Sequence, residues 1–170
     1  MAKTDNALDE ATAMETGDGR FQVAISSGGA RFLADEPVVA GGLGSGPTPY
    51  QLLASALAAC TTMTLRLYAE RKGLPVENIC TAVGHHRQAG AAPNDVFVRR
   101  ISFDGNLDAA QRQRLLEIAD LCPVHHTLTG GARVETELGG VLPSSAPAEE
   151  HKVDMEALIA VGRRSFDFTE

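Results

Sequence analysis

The sequence predicts an α+β fold with a mainly antiparallel sheet, and three observations carry that expectation. Two segments alternate apolar and polar residues on either side of a turn signal, as β-hairpins do. Each hairpin is followed by a stretch with helical spacing. The first helical stretch, between Gly46 and Gly73, carries no charge from Leu52 to Leu65, so it is expected to be buried on nearly every side. The element order reads ββαββαβ around that long buried central helix.

The individual elements follow from local chemistry. Residues 1–18 are polar and acidic without periodicity and are expected to be disordered. Arg20–Ser26 reads as a strand, Ser27-Gly28-Gly29 as a turn, and Ala30–Asp35 as the return strand. Glu36–Gly46 is a glycine-rich loop. Its GGLGSG run lacks the Lys and Ser/Thr of a phosphate-binding loop. Thr48 is placed to cap the long helix, Pro49 suits its first position, and Gly73 suits its stop.

Asn78–Arg87 alternates, with Ile79, Thr81 and Val83 on one face and Cys80, Ala82 and His85 on the other. Asp95–Asp104 is the partner strand. Asp108 and Gln111 form a capping-box pair for a second helix, on which Leu115, Ile118, Ala119 and Cys122 share a face. Pro123 ends that helix and opens a short turn, VHHTL. Ala132–Leu138 reads as a last strand. Beyond Gly139 the chain is rich in Pro, Ser and Ala, and His151–Arg164 has helical spacing at Val153, Met155, Leu158 and Ile159, followed by Phe166 and Phe168. The expected organisation is a disordered segment 1–18, a domain 19–140, and a tail 141–170 with a docking helix.

Composition bounds the function. The chain has 170 residues, a net charge of −7, and 15 Lys and Arg against 22 Asp and Glu, a balance that argues against nucleic acid. The polar N-terminal stretch has no apolar run of a secretory signal, and a cytoplasmic location is expected. The uncharged run Pro37–Leu65 is broken by glycines and prolines, so no membrane segment is expected. Three cysteines, an odd number, argue against a disulfide framework and leave catalytic, redox, metal or packing roles.

Cys60 falls mid-helix among Leu53, Ala56, Leu57, Met63, Thr64 and Leu67. Plain packing is the default for such a residue, because a thiol in apolar surroundings keeps a raised pKa unless a cation reaches it. Cys122 also points inward and lies beside the fresh backbone N–H groups of the turn that Pro123 opens, a setting that lowers a thiol's pKa. Cys80 is read as packing. Arg99 and Arg100 lie on opposite faces of their strand, so one of them could face the site, with a solvated arginine as the default. Arg66 and Glu70 read as an ordinary surface pair. A metal site is a further possibility at His85-His86 or at Cys122 with His125-His126, but no CxxC or HxxxH spacing supports it. His125 is a candidate to orient or hydrogen-bond near Cys122.

The stretches GPTPYQLLASALAACTTMTLRLYAERKG and LLEIADLCPVHHTL, with ADEP and GG before the long helix, resemble the OsmC/Ohr family of cysteine-dependent peroxidases, in its OsmC-like branch. The resemblance covers roughly Phe21 to Leu138. It implies an OsmC-like intertwined homodimer, with Cys60 as the peroxide-attacking thiol and Cys122 as the resolving thiol. It implies a hydroperoxide substrate, an external thiol or dithiol reductant, and no bound cofactor or metal. The hydroperoxide-resistance branch places a Glu, held against an Arg, ten residues before the first Cys. Here that position is Tyr50, with Gln51 beside it, and Arg20 or Arg31 would supply the Arg. The departure weighs against efficient organic-hydroperoxide reduction and leaves a slower or differently specific peroxidase. The competing expectation is a non-enzymatic OsmC-like protein that binds a small apolar ligand at the dimer interface.

Overall fold

Two consecutive glycines set the first sheet. Gly28 (φ +56°) and Gly29 (φ +79°) both adopt left-handed backbone, the conformation of a two-residue hairpin turn. Strand β2 (Val23–Ser27) therefore returns directly as β3 (Ala30–Ala34), with Ser27 opposite Ala30. Strand β1 (Ala11–Glu15) pairs antiparallel along the other edge of β2, giving the order β1-β2-β3. The expectation of disorder up to Asp18 is thus corrected at Ala11–Glu15. The segment has little pattern of its own, and the open edge of β2 supplies its hydrogen bonds.

The computed structural model describes residues 10–136, 138 and 150–164. They fall into two compact units, one drawn from the described residues before Leu53 with 134–136 and 138, the other from Leu53–Arg133 and the segment beginning at Glu150.

In the first unit the chain after β3 is organised by one buried carboxylate. Asp35 accepts hydrogen bonds from the backbone N–H groups of Glu36 (2.8 Å), Leu43 (2.9 Å) and Ser45 (3.3 Å), and from the Ser45 hydroxyl (2.9 Å). The loop closes so tightly around it that a Cβ on Gly42 would stand 1.9 Å from the Glu36 carbonyl oxygen. Gln22 ties the same loop to the sheet, donating to the Ser45 hydroxyl at 2.7 Å and accepting from Thr16 at 2.7 Å.

Helix α1 (Pro49–Lys72) begins as its sequence requires. The Thr48 hydroxyl accepts from the Gln51 N–H, and the Gln51 side chain accepts from the Thr48 N–H, so the start is a reciprocal capping box. At the other end Gly73 (φ +60°) donates to the Glu70 carbonyl and Leu74 to the Ala69 carbonyl, a Schellman closure. By length and composition alone α1 is long and apolar enough to cross a membrane, a test that a buried core helix also passes. Its buried face accounts for that apolarity: Ala54, Leu57, Cys60, Thr61, Thr64, Leu65, Tyr68 and Ala69. Burial on all sides is not realised within one chain, because Leu53 and Met63 stand 44% and 53% exposed.

The second unit wraps that buried face. Strands β4 (Ile79–Arg87) and β5 (Asp95–Phe103) form an antiparallel hairpin with Ile79 opposite Phe103. Helix α2 (Ala109–Ala119) starts at the predicted Asp108–Gln111 capping box. Helices α3 (Pro123–Gly130) and α4 (Glu150–Arg164) follow. Leu65, Tyr68 and Ala69 of α1 pack with Leu115, Ile118 and Ala119 of α2 and Ile159 of α4. Each such large aliphatic side chain contributes about 1.5–3 kcal/mol by leaving water.

Several expectations are corrected here. His85 shares the inward face with Thr81 and Val83, since residues of one parity along a strand share a face. Cys80 is exposed rather than packed. Arg66 donates to the carbonyls of Val76 (2.8 Å) and Glu77 (2.9 Å), clamping the chain that leaves α1. Val153 is exposed, and α4 packs through Met155 and Ile159 instead. Among residues 132–136 and 138 there is no strand: Val134 and Leu138 are exposed, and none of these residues pairs with either sheet. The order is thus βββαββααα, still α+β with antiparallel pairing. Phe166 and Phe168 lie outside the described residues, as does the Pro/Ser/Ala stretch 139–149.

The hydrogen bonds to Asp35, against the opposing pull of its burial, hold its pKa below the ordinary 3.8. The ionised carboxylate then stabilises the fold in full above about pH 3.8, and the contribution is lost as pH falls through the lower native value. Asp35→Asn is therefore expected to lower the Tm at pH 7, with the gap to wild type narrowing in strong acid. Thermal melts across pH check this.

Candidate functional site

One helix face and one helix break bring the sulfurs together. Cys60 lies on the buried face of α1, and its carbonyl accepts from the Thr64 hydroxyl at 2.8 Å, one turn on. Cys122 follows α2 with extended backbone (φ −65°, ψ 128°), the geometry that Pro123 imposes on its predecessor, and serves as N-cap of α3. The two residues, 62 apart in sequence, are joined as a disulfide with Cα atoms 6.0 Å apart, within the ordinary range for such a bond. Cys60 is 2% and Cys122 0% exposed, in a cluster with Leu57, Val83, Phe97, Val124 and Leu128.

Three polar groups reach into this apolar cluster or frame it. The Val124 N–H, in the first turn of α3, donates to Cys60 Sγ at 3.5 Å. The fresh amide expected to serve Cys122 therefore faces the other sulfur. His151, in the first turn of α4, places Nε2 3.3 Å from Cys60 Sγ. Arg99 of β5 donates to the Thr61 hydroxyl (3.1 Å), the Ala119 carbonyl (2.9 Å) and the Asp120 carboxylate (2.6 Å). One guanidinium thus binds the residue next to Cys60 and the end of the helix that leads to Cys122.

His151 is the site residue that sequence reasoning missed, and Arg99 is the one of the two adjacent arginines that faces the site. Arg99 has the parity of Phe97, Ile101 and Phe103, all of which pack inward, so an arginine within a core-facing stripe was the available signal. Its side chain is only 13% exposed, which overturns the expectation of a solvated residue. His151 had a weaker signal, the i, i+4, i+8 spacing with Met155 and Ile159.

The other expected residues are distributed as follows. Arg20, Arg31, Tyr50 and Gln51 belong to the first unit, where Arg20 lies over the Phe21 ring at 4.9 Å and Gln51 caps α1. His125 faces Asp120, with Nδ1 4.0 Å from the carboxylate. Burial chiefly, aided by the positive charge of Arg99 and by His126, pushes the His125 pKa below 6.5 against the pull of Asp120. His85 is held by Asp95 at 2.9 Å. Among the described residues no three His, Cys, Asp or Glu side chains converge as a metal set.

Replacing Arg99 by Ala leaves the Ala119 carbonyl and the Thr61 hydroxyl without their charged donor. The expected cost is at least about 2 kcal/mol, read by denaturant melts of the oxidised protein. Arg99→Lys is expected to recover only part of it, because one ammonium cannot span three acceptors fixed for a guanidinium fork.

Comparison with known proteins places this geometry. The family model described as OsmC-like protein matches residues 42–137, more than half of the chain. No match was found among curated proteins. Among solved structures, an OsmC-like protein from Mycoplasma pneumoniae is similar with a TM-score of 0.58 at 20% identity, over 74% of this chain and 89% of that one. An organic hydroperoxide resistance protein OsmC from Legionella pneumophila is similar with a TM-score of 0.56 at 22% identity, over 71% and 88%. The organic hydroperoxide resistance protein OhrB of Bacillus subtilis is similar with a TM-score of 0.51 at 24% identity, over 71% and 90%. The matched region contains α1, the β4–β5 hairpin, α2 and α3, with both cysteines of the buried pair, and the chain belongs to the OsmC-like protein family.

Proposed function

We propose that the protein is a thiol-dependent peroxidase that reduces hydroperoxides through Cys60 and Cys122. The observation that carries this reading is the pairing of two cysteines 62 residues apart within one buried apolar cluster. Membership of a family whose similar structures include organic hydroperoxide resistance proteins supports it. In the reduced protein the Cys60 thiolate attacks the terminal oxygen of ROOH. The O–O bond breaks, Cys60 becomes a sulfenic acid, and RO⁻ leaves to become ROH. The Cys122 thiol then condenses with the sulfenic acid, releasing water and forming the disulfide. An external dithiol returns both cysteines to thiols and is itself oxidised to a disulfide.

Cys60 is the attacking thiol in this reading because the Val124 N–H points at its sulfur, and an amide dipole at a helix N-terminus favours the thiolate. Cys60→Ser is expected to abolish dithiol-dependent hydroperoxide consumption. Cys122→Ser is expected to allow attack but to leave a sulfenic acid that a sulfenic-acid trap captures. A Cys60→Ser protein as active as wild type, in a coupled peroxide assay, overturns the reading and leaves the ligand-binding alternative.

The same reading includes a homodimer. Leu53 and Met63 stand open to water together with Ala56 and Ala59 on the side of α1 away from the core, an apolar strip that a second copy of the chain would cover. Met63→Glu is expected to convert a dimer to a monomer in light scattering. A wild-type monomer at micromolar concentration refutes the assembly without touching the thiol chemistry.

A further inference from the structure

The described half of the chain's tail delivers a group to the sulfur pair that the peroxidase scheme leaves without a task. Residues His151, Met155 and Ile159 stand at i, i+4 and i+8 on one face of α4. Met155 and Ile159 are 7% and 1% exposed, and Ile159 belongs to the main core cluster. Arg71 of α1 pairs with Glu156 at 2.5 Å on the neighbouring face. The helix is therefore anchored at two core positions and one ion pair, and the imidazole that reaches Cys60 Sγ at 3.3 Å is carried on a fixed support.

Cys60 needs such a partner. In the company of Leu57, Val83, Phe97, Val124 and Leu128, burial alone would raise the pKa of a reduced thiol and leave it inert. The other charged or titratable groups on the surrounding elements are engaged elsewhere. Arg99 spans Thr61, Ala119 and Asp120, while His85 holds Asp95. On α3, His125 faces Asp120 and His126 packs edge-on against the His125 ring. Lys152 and Asp154, beside His151 in the chain, are exposed. His151 is the titratable side chain within hydrogen-bond reach of the Cys60 sulfur among the described residues.

We propose that His151 is the proton acceptor and charge partner of Cys60, so that the reduced site is a thiolate–imidazolium pair built from α1 and α4. The proposal rests on the reading of Cys60 as the attacking thiol. When a dithiol attacks Cys122 Sγ, the S–S bond breaks, its electron pair goes to Cys60 Sγ as a thiolate, and the proton of the attacking thiol goes to the His151 imidazole, which as imidazolium stabilises that thiolate. The second thiol of the reductant then displaces Cys122, which takes the remaining proton, and the reductant leaves as its disulfide. When that thiolate attacks ROOH, the O–O bond breaks, and the His151 imidazolium gives its proton to the departing RO⁻. ROH, the sulfenic acid and a neutral imidazole result, and every proton is accounted for.

The test uses reduced full-length protein carrying Cys80→Ser and Cys122→Ser, so that Cys60 is the one thiol left. Its ultraviolet thiolate absorbance is followed across pH, with the Cys60→Ser protein as blank. Replacing His151 by Gln is expected to raise the thiolate midpoint by about one pH unit or more, a tenfold loss of thiolate at neutral pH. An unchanged midpoint in the His151→Gln protein overturns the proposal. A second measurement needs no His151 variant: the His151 ring is titrated by NMR with Cys60 reduced and with Cys60→Ser. Loss of the thiolate is expected to lower the imidazole midpoint, and equal midpoints overturn the proposal. A protein that shows both shifts yet consumes no hydroperoxide retains the pairing and refutes the peroxidase reading. An active peroxidase with neither shift does the reverse.

Discussion

Everything around the sulfur pair answers one constraint, that a reactive thiol in a hydrocarbon setting must be given polar company by other elements. Helix α1 cannot supply it, since the neighbours of Cys60 on its buried face are Leu57, Thr61 and Thr64, and the helix ends are far away along its axis. The amide comes from α3, the imidazole from α4, and the guanidinium that fixes the frame from β5. Four elements thus meet at one atom or at its neighbour. This explains why the second unit spends a buried arginine on a hydroxyl, a carbonyl and a carboxylate when an apolar residue at that position would pack at lower desolvation cost.

The division of labour between the two cysteines follows from backbone geometry. Pro123 forces extended backbone at Cys122 and starts a new helix immediately afterwards, so the first free amides of α3 appear within reach of whatever lies across from Cys122. What lies across is Cys60. One residue therefore presents its own sulfur and opens an N–H toward the partner sulfur. A smooth continuation of α2 through position 123 would have spent those amides within the helix.

Much of this was legible in the sequence, and the reasons are local. The Thr48-Pro49 start, the Gly73 stop, the Gly28-Gly29 turn and the Asp108–Gln111 box each depend on residues within a turn of one another, and each formed as the chemistry dictates. What failed depended on partners far along the chain. Strand β1 has no strong pattern and exists because it pairs along an edge of β2, whereas residues 132–136 carry alternation but pair with no strand. Arg99 could be read from its parity with Phe97 and Ile101, but that signal competes with an arginine's default preference for water. His151 lies 91 residues from Cys60, and no spacing rule connects them.

The alternation of β4 guards the sulfur pair in a further way. Thr81 faces α1 closely enough for its hydroxyl to bond that of Thr62 at 2.9 Å, which turns Cys80 outward. In an unstructured chain Cys60 would meet Cys80, twenty residues away, more readily than Cys122, sixty-two away, by about 1 kcal/mol of loop-closure entropy. A slip of β4 by a single residue would turn Cys80 inward as a rival for Cys60. The Thr62–Thr81 contact belongs to the one register that keeps the third thiol on the outer face, away from the buried pair.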